Sequence, residues 1–309
     1  PKGHLRRGST KTARLAKGQE CAEHLVRTAN QEVECGRMLK SLWIKLPTLA
    51  LAGLIIALVD GPQAWWWATA ILLLGTLVLL HFVCNVRSSF LVRTLWNAPE
   101  ATNAVALTFD DGPDPNYTSR VLDILAKHDV PAAFFVVGHR VRAHPELLLR
   151  AHSEGHVIGN HTESHSVFLH CRLWSKLRKE IADCNAAIQS VIGCLPTLFR
   201  PPHGFKNPAL ADVVRERSMT VVGWQVRGCD AVSSDPKAIE ARVVESAEGG
   251  GIILLHDGSG LGGTKDRSAT LDALPAIIKQ LRARGLRFVR LDEMLKVQPY
   301  LPQQQLEAS

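Results

Sequence analysis

From Asn103 to about residue 297 the chain alternates short apolar runs with amphipathic helical stretches, and no other feature constrains the fold as strongly. Strand patterning falls on residues 104–109, 132–137, 157–159, 197–199, 221–226, 251–255 and 287–289. Helical spacing occupies 119–128, 145–154, 173–192, 207–217, 236–248 and 269–284. Parallel strands need crossover connections of that length, so the alternation predicts an α/β fold. Its expected form is a (β/α) barrel of about seven strands, closed or nearly closed. In such a barrel the strand C-termini share one face, and polar residues at strand ends are candidates for chemistry.

The first hundred residues have a different grammar. Residues 1–40 are basic and lack clean periodicity, which predicts a largely flexible arm. Residues 41–87 are expected to form a transmembrane helical hairpin with spans at about 42–59 and 63–84, turning at Asp60-Gly61-Pro62. Trp65, Trp66 and Trp67 stand where an interfacial aromatic belt would lie. Residues 88–102 are expected as a linker, 103–297 as the folded domain and 298–309 as a tail. The net charge of +7 belongs almost wholly to the front: residues 1–100 hold 12 Lys/Arg against 6 Asp/Glu, the remainder 24 against 23. A near-neutral folded domain excludes a basic nucleic-acid groove. Basic residues on both flanks of the hairpin (Arg37, Lys40, Lys45; Arg87, Arg93) favour cytoplasmic ends. The seven cysteines are odd in number, which excludes a complete set of intrachain disulfides.

Five polar clusters follow strand candidates. Residues 108–113 read Thr-Phe-Asp-Asp-Gly-Pro, with Asp110 and Asp111 adjacent at a strand end. Two neighbouring carboxylates repel unless a cation or proton separates them. Residues 160–165 read Asn-His-Thr-Glu-Ser-His, placing His161 and His165 at i,i+4, a metal-compatible spacing on a helical turn. The remaining clusters are Arg200-Pro201-Pro202-His203-Gly204, residues 224–230 from Trp224 to Asp230, and Leu254-Leu255-His256-Asp257-Gly258.

In this order and spacing the motifs resemble the polysaccharide deacetylases, the NodB-homology domain of carbohydrate esterase family 4, over roughly residues 105–295. The first motif stands unaltered at 108–113, and the His-x-x-x-His motif at 161–165 follows its Asn160. The resemblance implies a distorted (β/α) barrel that removes an acyl group from an amino sugar. It implies Asp110 as general base, Asp111, His161 and His165 as metal ligands, and Arg200 as the partner of Asp110. It further implies His256 as general acid oriented by Asp230, and Leu254 in the wall that receives the acyl methyl. Pro202 would shape the cleft, the backbone N–H of His203 would bind the oxyanion, and Trp224 would line the substrate site. The implied cofactor is one divalent ion, zinc first, with cobalt, nickel and manganese also compatible with this donor set. A histidine acid suits a reaction whose leaving amine must be protonated near neutrality.

Four positions depart from the family pattern. His203 stands where an aromatic such as tyrosine is usual, Ala231 where a tryptophan often follows the aspartate, and Gln225 and Arg227 where acidic residues are frequent. These changes leave the metal chemistry intact and open the question of substrate. The expectation is an enzyme of the bacterial inner membrane, its catalytic domain facing the cytoplasm. Its substrate would be an N-acetylated or N-formylated amino sugar of an envelope glycan or precursor, carried on an oligosaccharide, lipid or nucleotide. A catalytically silent carbohydrate-binding membrane protein on the same fold is the competing expectation.

Overall fold

The computed structural model describes residues 42, 44–59, 61–166, 174–259 and 265–301. The expected arm at 1–40, the turn residue Asp60 and the tail beyond residue 301 lie outside them. The chain divides into two units, Pro1–Thr76 and Leu77–Ser309.

Helix α1 (Ile44–Leu58) and helix α2 (Gln63–Cys84) are both apolar, but only α2 has the length and composition to cross a membrane among the described residues. At 1.5 Å per residue α2 spans about 33 Å, whereas α1 covers about 22 Å, short of a bilayer core of about 30 Å. Of the two spans expected from the sequence, one, α2, has spanning length among the described residues; residues 41, 43 and 60 of the other lie outside them. Lys45 at one end of α1 and Gly61-Pro62 beyond the other limit its uncharged helical stretch. Trp65, Trp66 and Trp67 are all exposed on α2.

In the second unit, nine parallel strands form one curled sheet: β1 (Thr94–Leu95), β2 (Ala104–Asp110), β3 (Ala132–Val136), β4 (Val157–Asn160), β5 (Leu198–Phe199), β6 (Thr220–Val222), β7 (Val226–Arg227), β8 (Gly251–His256) and β9 (Arg287–Phe288). The order is β1-β6-β5-β4-β3-β2-β8-β7, with β9 joined to β2. All seven expected strands are present. The one expected at 221–226 divides into β6 and β7, because the Gly223 N–H turns to Leu95 O while Gln225 N–H reaches Ile252 O. Residues 88–102, expected as a linker, instead supply β1 and bury Leu91 and Val92 in an apolar cluster with α6 (Trp174–Ile192) and α7 (Pro208–Glu216). Burial of those two side chains, about 1.5–3 kcal/mol each, explains why the stretch joins the domain.

The central strands are buried on both faces, so their period of two decides which side chains reach the barrel interior. Val105, Leu107 and Phe109 face the helix layer with Phe134, Ile253 and Leu255. Ala106, Ala133, Phe135 and Ile252 fill the interior. The same alternation carries Thr108, Asp110, Leu254 and His256 inward. The β2–β8 register sets Thr108 beside Leu254 and Asp110 beside His256, so two polar side chains meet at the mouth. Helices α3 (Thr118–His128), α4 (Gly138–Ala143), α5 (Pro145–Ser153), α8 (Pro236–Ser246) and α9 (Ser268–Ala283) complete the crossovers, and α10 (Leu291–Leu295) packs Leu291 and Met294 into the interior cluster. Helices α4 and α10 have six and five residues, too short to show periodicity in the sequence.

Candidate active site

Asp110 ends β2, and Asp111 follows with φ 77°, a left-handed conformation. That reversal brings both carboxylates to one cleft, where an extended chain would send them to opposite faces. The turn closes on Gly112, where a Cβ would lie 2.2 Å from Asp257 Oδ2. Asp257 is buried and accepts a hydrogen bond from Thr118 Oγ1 at 2.6 Å. Burial pushes its carboxyl up to about 7.

His161 and His165 follow β4 on a loop rather than on the helical turn expected from their spacing. Thr162 and His165 adopt φ 71° and 49°. Asn160 Oδ1 accepts from Thr162 N–H at 2.7 Å, and Thr162 Oγ1 accepts from His165 N–H at 3.2 Å. The loop replaces helical backbone bonds with side-chain ones, and the two rings still converge at 5.0 Å. His161 Nδ1–H donates to Arg200 O at 2.7 Å, leaving Nε2 to face Asp111 Oδ1 at 3.5 Å. His165 Nε2 lies 3.1 Å from the same oxygen.

Arg200, just past β5, is wholly buried. It donates to Asp110 Oδ1 at 2.7 Å, Thr108 Oγ1 at 2.8 Å and Gly223 O at 3.0 Å. Its guanidinium sits 4.0 Å over the Phe135 ring. Burial pulls its pKa below the ordinary value, while the Asp110 charge opposes that pull. The next turn, Pro202–Gly204, places His203 at φ 59°. Pro202 is buried within this turn and does not line the cavity, so it shapes the cleft from behind. The His203 ring does line the cavity, 5.0 Å from the His165 ring. At Gly204 a Cβ would come within 2.7 Å of Trp224 and 3.3 Å of a Val86 methyl. Buried Lys206 fixes the chain leaving α2: its Nζ donates to Val86 O at 3.1 Å, to Ser88 O, and to Thr94 Oγ1 at 3.4 Å.

Opposite stand Asp230 and His256. Asp230 accepts from His256 Nδ1–H at 2.9 Å, His256 N–H at 2.8 Å and Thr270 Oγ1 at 3.0 Å. Burial alone would depress the imidazole pKa, but the charge and hydrogen bond of Asp230 outweigh it and raise His256 above its ordinary value. Burial likewise opposes ionisation of Asp230, and the His256 charge outweighs it to lower its pKa. Arg267, absent from every sequence motif, ties the two loops by donating to Gly258 O at 2.7 Å and Asp230 O at 2.9 Å. Leu254 forms part of the apolar wall, and Trp224 lines the same space.

These groups surround one cavity of about 260 Å3. Asp111, His161 and His165 each offer a ligand atom, all within 4.8 Å of one another. Asp111 Oδ1 and His165 Nδ1 are buried with no hydrogen-bond partner. Burial, reinforced by His161, pushes His165 down to about 3, so it is a neutral donor. The interacting His161 and His256 charges hold the Asp111 carboxyl below its ordinary value against burial. An anionic oxygen left without a hydrogen-bond partner and two imidazoles whose Nε2 atoms face it fit a divalent cation. Of the eleven residues singled out in the sequence, eight line the cavity, Arg200 and Asp230 stand behind it bonded to Asp110 and His256, and Pro202 lies within the turn that carries His203.

Fold and site define a class: α/β proteins with a candidate divalent-metal site at the mouth of a curled parallel sheet. The chain belongs to the polysaccharide deacetylase family, whose pattern matches residues 97–222. It is 37% identical over 203 residues to a peptidoglycan-N-acetylglucosamine deacetylase of Bacillus cereus, covering 65% of this chain and 92% of that protein. It is also 37% identical over 193 residues to the peptidoglycan-N-acetylmuramic acid deacetylase PdaC of Bacillus subtilis, covering 62% of this chain and 39% of that longer protein. The crystal structure of the Bc1960 peptidoglycan N-acetylglucosamine deacetylase matches with TM-score 0.63 and 34% identity, over 67% of this chain and 94% of that one.

Proposed function

We propose that this protein removes an N-acetyl or N-formyl group from an amino sugar of an envelope glycan or its precursor. The observation that carries the reading is the convergence on one cavity of three metal-donor atoms and a histidine, His256, held by Asp230. A divalent ion held by Asp111, His161 and His165 would supply Lewis acidity to the amide carbonyl and the attacking water. Asp110 accepts the proton of that water; Arg200 occupies its Oδ1, which leaves Oδ2 for the reaction. His256 Nε2 gives a proton to the leaving amine; Asp230 holds Nδ1–H, and its charge favours the protonated ring. The His203 backbone N–H, at the tip of its turn, donates to the oxyanion. Leu254 seats the acyl methyl, and Trp224 packs on the sugar.

Helix α2 would attach the domain to a membrane. Two crossings would place the domain on the cytoplasmic side and a single crossing would allow either side. Protease protection on sealed vesicles reads the side directly.

The enzymatic reading is tested by screening N-acylated amino sugars, free, lipid-linked and nucleotide-linked, for loss of acyl mass. Turnover of at least one, lost in Asp110→Asn, is expected. Turnover unchanged in Asp110→Asn would remove the assigned base, and binding without turnover of any sugar would favour the silent relative.

A further inference from the structure

The cavity holds more positive charge than deacetylation uses. Asp110 is matched by Arg200, Asp230 by His256, and Asp111 by the ion its donor set fits. Arg267 is buried and committed to two backbone carbonyls. Two cations lining the cavity are left over: Arg227 and Lys265. Both side chains are exposed, and among the described residues neither forms an ion pair. Lys265 Nζ has only a long contact to Ala231 O, at 3.5 Å.

Their placement is a consequence of the fold. Val226 points into the helix-side core, so by the period of a strand Arg227 points to the mouth. Its register partner on β8 is Leu254, two residues before His256. Lys265 comes from the loop ahead of α9 and reaches the carbonyl of Ala231, the residue after Asp230. Ala231 itself lines the cavity and is small, so space remains beside the two cations. A neutral sugar seated there would offer the two cations only hydroxyl acceptors, whereas an anion would take up charge-assisted hydrogen bonds, which are roughly twice as strong.

We propose that the substrate carries an anionic group, phosphate or carboxylate, on or next to the N-acylated ring, and that Arg227 and Lys265 bind it. The inference rests on the deacetylase reading and narrows its substrate. Kinship leaves the matter open, since one relative is named for N-acetylglucosamine, which is neutral, and another for N-acetylmuramic acid, which carries a carboxylate.

The test compares three probes on the full chain in detergent with metal added: chitotetraose, its 1-phosphate and its terminal uronic acid derivative. The quantity read is the ratio of kcat/KM for each anionic probe to that for chitotetraose. At low salt the ratio is expected to reach roughly tenfold or more for at least one anionic probe, the value of one charge-assisted hydrogen bond. It should shrink as salt rises, fall towards one in the Arg227→Gln/Lys265→Gln double variant, and recover in part in Arg227→Lys. The better anionic probe identifies phosphate or carboxylate as the recognised group. Ratios near one in the wild-type protein, or a ratio that survives the double variant, would overturn the inference while the deacetylase reading stands. Absence of turnover with all three probes would count against that reading instead. Calorimetric binding of the same probes to the wild-type and double-variant proteins then decides the charge preference by the same ratio.

Discussion

Replacing Asp230 by asparagine removes one charge at nearly constant shape and isolates what that charge does for His256. In the native site three donors converge on Asp230: the His256 ring, the His256 backbone and the Thr270 hydroxyl. The protein contains its own reference for an imidazole buried without such support. His156 is buried, its nearest carboxylate, Glu154, is 3.9 Å away, and burial pushes its pKa down to about 4. A fall from 6.5 to about 4 is worth about 3.4 kcal/mol, and at pH 7 roughly one thousandth of such a ring is protonated. His256 in Asp230→Asn should move in that direction. A general acid works only while it holds its proton, so activity disappears as pH rises through its pKa. In the wild-type protein that loss lies above the ordinary imidazole value; in Asp230→Asn it should retreat below it. At pH 7 kcat should fall by roughly a hundredfold or more. The assay is the pH profile of amine release from an N-acetylated chitooligosaccharide, with metal content measured on both proteins. An unmoved alkaline limb with kcat within about twofold of wild type, at equal metal content, would refute the pairing as the source of the acid.

Arg200→Met leaves Asp110 as a buried carboxylate without its cation and should cost about 3–5 kcal/mol by urea unfolding; a loss below about 1 kcal/mol would show that water replaces the guanidinium. Lys206→Met strips hydrogen-bond donors from the Val86 and Ser88 carbonyls and the Thr94 hydroxyl. It should destabilise the second unit by about 1–3 kcal/mol, read as a lower melting temperature in detergent. Gly204→Ala forces a Cβ into a left-handed position 2.7 Å from Trp224. KM for chitooligosaccharide should rise several-fold, about 1 kcal/mol in binding, while the dissociation constant for zinc stays unchanged.

Much of the barrel was legible because parallel core strands are written as uninterrupted apolar runs, and β2, β3 and β8 are buried on both faces along their whole length. Strand β1 escaped notice because two residues, Thr94 and Leu95, carry no period at all. The strand expected at 221–226 looked continuous because Trp224 and Val226 keep its apolar character, and only hydrogen bonding reveals the break at Gly223. At the site, residue types were legible and backbone geometry was not. Asp110 and Asp111 meet through a positive φ, and the His161–His165 spacing arises from a loop braced by Asn160 and Thr162. Arg267 and Lys265 lie outside the motifs and reach the site through the loop that follows β8, a placement no local pattern encodes.

The central claim is that Asp111, His161 and His165 hold a divalent ion on which amide hydrolysis depends. Its most direct test is acetate release from an N-acetylated chitooligosaccharide by chelator-treated full-length protein titrated with zinc, with bound metal counted in the same samples. The account predicts no release from the stripped protein and recovery in proportion to one ion bound per chain. It also predicts neither tight binding nor recovery in Asp111→Ala or His165→Ala. Full activity in the stripped protein, or one tightly bound ion in Asp111→Ala, would contradict it.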